Sequence, residues 1–276
     1  MGRMNRRPTP SEKPFQALVL AGDRGPGDGV ARAAGVCCKA LAPVAGRPML
    51  LSVLNALGAS EQAGEPLLCG PPTQALEQCP ALAAGIAAGS WRWMESLSTP
   101  STSAYAGLQA LSDARPVLLT TADHALLGPE IVDHFCREAA RSDCDLVVGL
   151  ARYDEVMAAH PGVRRTGLRF SDDRYCGCNL FAFLSPEARR VADFWRRLEQ
   201  DRKRPWRLIR ALGWGNLLRW RLGRLSLEQA LGLLSERLGL RLGHVLLPFA
   251  DAAVDVDTPA DWEYVRQRLE SRSAPD

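Results

Sequence analysis

Apolar and polar positions are grouped along the chain in blocks that switch between two periods. ALVLAG (17–22) is a short unbroken apolar run, the pattern of a strand buried on both faces. PMLLSVLNALGA (48–59) places its apolar residues at helical spacing behind a proline. EPLLCG (65–70) predicts a second strand, and PPTQALEQC (71–79) a short helix. STSAYAGLQALSDA (101–114) predicts a helix led by serine and threonine, which favour helix N-termini. RPVLLTTADH (115–124) predicts a strand that ends in polar residues, GPEIVDHFCREAARS (128–142) a helix, and CDLVVGLAR (144–152) a further strand. This βαβαβ order predicts an α/β fold with a mostly parallel sheet and helices on both faces.

The second half is less regular. YCGCNLFAF (175–183) predicts a strand, followed by a helix over 186–202. Residues 203–239 form a helical insertion rich in arginine and tryptophan. LRLGHVLLPF (240–249) predicts a strand. From 251 to 269 the pattern predicts a short strand, a cap at Thr258 with Pro259 just inside, and a closing helix.

Composition narrows the class. Hydrophobic residues make up 46% of 276, enough for a full core. A net charge of +3 is too small to indicate a nucleic-acid partner. The eight cysteines include no CxxC pair, which predicts reduced thiols and a cytoplasmic location. Cys176 and Cys178 alternate along a strand and are expected to be packing residues. Residues 1–14 are basic and proline-rich without an apolar centre, so they are expected to be a disordered arm and not a signal peptide, leaving 15–276 as the folded domain. No run approaches the ~18 apolar residues that span a bilayer.

In an open parallel sheet, ligands bind beyond the C-terminal strand ends. Three polar segments fall at such ends: the loop from Gly22 to Lys39, TTADH (120–124) and DVDT (255–258). The loop holds Gly22, Gly25, Gly27, Gly29 and Gly35, whose bare amides suit phosphate oxygens. Arg24, Arg32 and Lys39 add positive charge. The spacing is neither GxGxxG into a helix nor GxxxxGK[ST], which disfavours a Rossmann dinucleotide site and a P-loop. Asp123 closes its strand where a carboxylate holds Mg²⁺ against phosphates, although aspartate there also serves as a turn residue. Asp255 and Asp257, two apart, are expected on one face of a strand, with a cation or donors between them. No Ser-His-Asp set and no HExxH is present, and His124 is expected to be structural.

LVLAG with KALAPVAGRPML after the loop, STSAYAGLQAL, VLLTTADHALL and VDVDTPADW together resemble, in order, the signatures of the MobA-like nucleotidyltransferases. The resemblance covers roughly residues 15–270. It implies a GT-A-like three-layer α/β sandwich that binds a nucleoside triphosphate and Mg²⁺. It implies transfer of the nucleotide, CTP or GTP being favoured, to a phosphorylated acceptor with release of pyrophosphate. By position, Leu20, Ala21, Gly22, Asp23, Gly25, Arg32 and Lys39 border the triphosphate, and Ser103 the base or ribose. Asp123, Asp255 and Asp257 carry the metal, and Lys39, Arg24 and Asp123 serve the reaction. Arg165 and Thr166, within HPGVRRTGLRF (160–170), and Asn179 are expected on the acceptor side. The family loop usually reads GGxGxR; here Asp23 follows Gly22 and the loop is longer.

Two other classes remain open. A GT-A glycosyltransferase normally carries DxD, whereas TADHA has one aspartate. A degenerate nucleotide-binding regulatory protein is suggested by Asp23. Within the insertion, Trp206, Trp214 and Trp220 lie among arginines without acids. The leading expectation is an amphipathic helix packed on the domain; the alternative is peripheral contact of 203–224 with an anionic membrane.

Overall fold

The computed structural model describes residues 13–22, 27–200 and 214–273. The elements begin β1 (Phe15–Leu20), α1 (Gly29–Ala34), β2 (Pro43–Val44), β3 (Arg47–Pro48), α2 (Met49–Ala59), β4 (Ala63–Cys69), α3 (Thr73–Gln78), α4 (Pro80–Ala87) and β5 (Arg92–Met94). They continue α5 (Pro100–Gln109), β6 (Val117–Thr121), α6 (Pro129–Arg141), β7 (Leu146–Arg152), α7 (Tyr153–Ala159), β8 (Leu168–Arg169) and β9 (Arg174–Phe183). The described remainder is α8 (Arg190–Gln200), α9 (Trp214–Arg221), α10 (Leu227–Leu238), β10 (Leu242–Leu246) and α11 (Pro259–Ser273).

All six residues of β1 are buried because the strand has neighbours on every side. It runs parallel to β4 on one edge and to β6 on the other. The sheet order is β10-β7-β9-β6-β1-β4-β5, with β8 beside β9. The sheet is parallel except at β9, which runs antiparallel to both β6 and β7.

Strand alternation sorts the β1 side chains into two layers. Ala17 and Val19 join a core with Leu54 and Leu57 of α2 and Ile131 and Phe135 of α6. Leu18 and Leu20 join Ala104 and Leu108 of α5 and Ala192 of α8 on the opposite face. Two helical layers therefore enclose the sheet, as the alternation predicts. Cys176 and Cys178 are buried packing residues, and none of the eight cysteines is in a disulfide.

Several local expectations are corrected. The glycine-rich loop contains a helix, α1: Asp28 caps it by accepting from the Val30 and Ala31 amides, and Gly35 ends it at φ 68°. The segment 251–257 is not a strand; Ala250–Ala253 form a 3₁₀ turn. Thr258 does cap α11, its hydroxyl accepting from the Asp261 amide at 3.2 Å. Most of the expected N-terminal arm lies outside the described residues, but Lys13 is anchored, donating to the Gly58 carbonyl at 2.9 Å. In the insertion, 203–213 lies outside the described residues. At α9, Leu218, Trp220 and Leu222 are exposed. Among the described residues, no helix is long and apolar enough to cross a membrane.

Arg189 ties α5 to the turn before α8. Its buried guanidinium donates to the carbonyls of Leu108 at 2.8 Å, Leu111 at 2.9 Å and Ser112 at 2.5 Å, and pairs with Asp113 at 2.8 Å. A cation at a helix C-terminus satisfies carbonyls that have no partner within the helix. Arg189→Ala is expected to lower unfolding free energy by about 3 kcal/mol, as buried carbonyls lose charged donors. Urea denaturation of the two proteins measures this; a loss below about 1 kcal/mol contradicts the assignment.

Candidate functional site

The site begins where β1 and β6 end side by side. Their register pairs Leu20 with Thr121, and the Ala122 amide donates to the Leu20 carbonyl at 2.9 Å. Asp123 follows at the strand end. Lys39 enters from a single 3₁₀ turn, Lys39–Leu41, which continues the chain after α1. Its Nζ donates to Asp123 Oδ2 at 2.6 Å and to the Val256 carbonyl at 3.0 Å, and lies 3.5 Å from Asp257 Oδ1. The Val256 amide in turn donates to the Asp123 carbonyl at 3.0 Å. Three distant chain segments thus meet at one ammonium group.

The Lys39 and Asp123 side chains are only 12% and 16% exposed, so this pair is largely shielded from solvent. Burial pushes the Asp123 carboxyl up. The Lys39 charge and hydrogen bonds from Lys39 and Thr121 outweigh burial and hold it below the usual carboxylate range. Asp123 is therefore an anion at neutral pH.

Asp255 is held separately. The Arg165 guanidinium donates to its carboxylate and its carbonyl, and Asn179 Nδ2 donates to Oδ2 at 2.9 Å. Asn179 adopts φ 49° in the middle of β9, a conformation that asparagine tolerates better than most residues. The β7–β9 register shifts between Val148 and Leu150, and this bulge turns the Asn179 side chain toward the cavity. Arg165 and Asn179, expected on the acceptor side, are both engaged with Asp255, expected on the metal. Asp255 and Asp257 also do not share a strand face. Thr166 is exposed and does not line the cavity.

A cavity of about 450 Å³ lies above this node. Asp28, Lys39, Thr121, Asp123 and Asn179 form its polar side, while Leu97, Leu119, Phe181 and Trp195 form an apolar side. Leu20, Gly22 and Ser103 also line it. The Ser103 hydroxyl accepts from the Leu97 amide at 2.8 Å, fixing the entrance to α5. Ala21 is buried beneath, donating to the Cys69 carbonyl at 2.9 Å. Gly70 packs against it: a Cβ there would lie 2.6 Å from the Ala21 oxygen, and φ is +86°. Arg32 is exposed on α1 and does not line the cavity. Asp23, Arg24 and Gly25 lie outside the described residues.

Sequence reading passed over Asp28, Thr121, Phe181 and Trp195. Asp28 carried a usable signal, since DGVARAAG (28–35) pairs an N-cap aspartate with a terminal glycine. The aromatic pair carried none, because it meets only when β9 and α8 pack.

Among the described residues, no group of three or more His, Cys, Asp or Glu is placed to hold a metal ion. Asp123 and Asp257 nevertheless converge on one cation, the Lys39 ammonium. Hard carboxylate oxygens of this kind suit Mg²⁺ whose remaining ligands are water and phosphate oxygens. Asp255 is engaged by Arg165 and Asn179.

The MobA-like NTP transferase domain model matches residues 17–215, and the chain belongs to that family. A hypothetical transferase structure from Thermus thermophilus is 27% identical, with a TM-score of 0.75, covering 91% of this chain and 100% of that one. The 4-diphosphocytidyl-2C-methyl-D-erythritol synthase of Anaerococcus prevotii DSM 20548 is 13% identical with a TM-score of 0.57, covering 94% and 99%. A CMP:2-keto-3-deoxy-manno-octonic acid synthetase complexed with CTP is 14% identical with a TM-score of 0.53, covering 95% and 100%. The last two share the fold. A comparison with curated proteins finds no match.

His124 lies directly beneath the node, 1% exposed, with its ring facing the backbone of Asp251 and Ala252. Burial pulls its pKa down to about 4, against which Asp123 acts only in part, so the ring is neutral at pH 7. A histidine with a lowered folded pKa stabilises the protein above its unfolded value of about 6.5 and loses that contribution as pH falls toward 4. Half-buried His244 shifts in the same direction. Urea unfolding is expected to show stability falling by up to about 3 kcal/mol between pH 7 and pH 4.5. The fall is expected to flatten in His124→Gln; equal slopes in the two proteins would refute the assignment.

Proposed function

We propose that the protein transfers a nucleotide from a nucleoside triphosphate to a phosphorylated small-molecule acceptor, releasing pyrophosphate. The observation that carries this reading is the buried Lys39, held by Asp123, Val256 and Asp257 on the polar side of an otherwise apolar cavity. A nucleoside triphosphate has the same two-sided character: a flat base and a polyanionic tail. Family membership supports the reaction class. CTP is the first nucleotide to test, because two proteins of the same fold are named for cytidylyl products or hold CTP.

In the proposed reaction an acceptor phosphate oxygen attacks the α-phosphorus in line. The bond from the α-phosphorus to the β-phosphate oxygen breaks, and pyrophosphate leaves with the electron pair. No protein nucleophile is required, so catalysis reduces to positioning and charge stabilisation. Lys39, kept rigid by its three oxygen partners, presents positive charge to the phosphate oxygens. Gly22, which lines the cavity, borders the same tail. Ser103 and the apolar side of the cavity take the base. Asp123 and Asp257 would hold Mg²⁺, which would supply neutralisation of phosphate charge.

Pyrophosphate release, measured with each of four nucleoside triphosphates and a panel of phosphorylated acceptors, tests the proposal. Asp123→Ala and Lys39→Met are each expected to lower kcat/KM by about 10²–10³-fold. Thr166→Ala is expected to leave it unchanged. Removing divalent cations with a chelator is expected to abolish turnover. Wild-type rates in Asp123→Ala, or no release with any pair, would overturn the proposal.

A further inference from the structure

We infer that helix α9 docks the protein on an anionic membrane surface. This goes beyond the nucleotide chemistry and does not depend on it. Leu218 and Leu222, four residues apart and so on one face of the chain as it leaves the helix, are each 58% exposed, and Trp220 is 41% exposed. Trp220, two residues from each, lies on the other side of the helix, so the exposed apolar face that something covers is that of Leu218 and Leu222.

Charge identifies the cover. From Arg202 to Leu227 the sequence holds eight lysines and arginines and no aspartate or glutamate. Arg219, Arg221 and Arg224 are exposed. Arg219 donates to Gln229 at 3.3 Å, and among the described residues no carboxylate pairs with Arg221 or Arg224. Exposed leucines enter the interfacial zone of a bilayer while arginines bind headgroup phosphates. A second copy of the chain would bring the same positive charge to the contact. A nucleic acid would satisfy the arginines and leave Leu218 and Leu222 in water.

The position of α9 suits this role. On its C-terminal side the chain is pinned: the Ser171 amide donates to the Leu225 carbonyl at 2.9 Å, and the Leu227 amide to Asp172 Oδ1 at 3.0 Å. Leu227 packs with Leu150 and Tyr175. On the other side the insertion leaves α8, whose Trp195 lines the cavity. The exposed helix therefore follows α8 in the chain and is anchored on its C-terminal side to the turn before β9.

Sedimentation of the full chain with vesicles tests the inference, without nucleotide present. The protein is expected to pellet with phosphatidylcholine vesicles containing phosphatidylglycerol and to remain in the supernatant with pure phosphatidylcholine. Raising salt is expected to release it. Leu218→Glu/Leu222→Glu and Arg221→Glu/Arg224→Glu are each expected to weaken binding about tenfold or more. Circular dichroism confirms that these exposed substitutions leave the fold intact. Failure to pellet with anionic vesicles overturns the inference, as does equal pelleting on neutral ones. So does wild-type binding by both variants, or a Leu218-dependent dimer in solution without lipid.

Discussion

A lysine removed from water must be given negative charge or carbonyl oxygens, and most of the site follows from how Lys39 meets that requirement. It takes Asp123 from the end of β6, the Val256 carbonyl, and the approach of Asp257 from the segment before α11. These partners are 84 and 217 residues away in the chain. Removing one member of so buried a pair strands the other, at a cost of about 3–5 kcal/mol. The ends of β1 and β6, the turn at Lys39–Leu41 and the closing segment therefore depend on one another.

The closing segment carries two like charges two residues apart, and the fold gives each its own counter-group. Asp257 faces Lys39, while Asp255 is taken by Arg165 and Asn179. The separation relies on β9. Only a strand reversed against its neighbours and bulged near its middle delivers an asparagine in the left-handed region at that height above the sheet. Below, Asp251 pairs with His160 at 3.0 Å and Arg272 at 2.8 Å. Burial opposes its charge, but these partners lower its pKa to about 2. Successive aspartates of one short segment thus face three different parts of the molecule.

The long buried strands were legible because apolar runs such as LVL and VLL have little alternative to a sheet interior. The helices with proline or threonine at their starts were legible for the same local reason. Short elements escaped. β5 is three residues with an exposed arginine, and α7 follows β7 without a break. Asp123 could be placed because it ends a strand. The roles of Arg165 and Asn179 could not, since they depend on a bulge and on a segment that approaches from the far end of the chain. In the insertion, periodicity reports an amphipathic face but not whether anything lies against it.

The span that defines the family, residues 17–215, stops short of the residues that complete the site. Val256 and Asp257 emerge from the ribosome long after Lys39 and Asp123, and until they arrive the lysine lacks two of its three oxygen contacts. The β1–β6 framework precedes Val256 and Asp257 in the chain, so it is able to assemble before the ammonium group gains its last two oxygen contacts. The order of synthesis thus lets the sheet form first and the setting of the lysine come last.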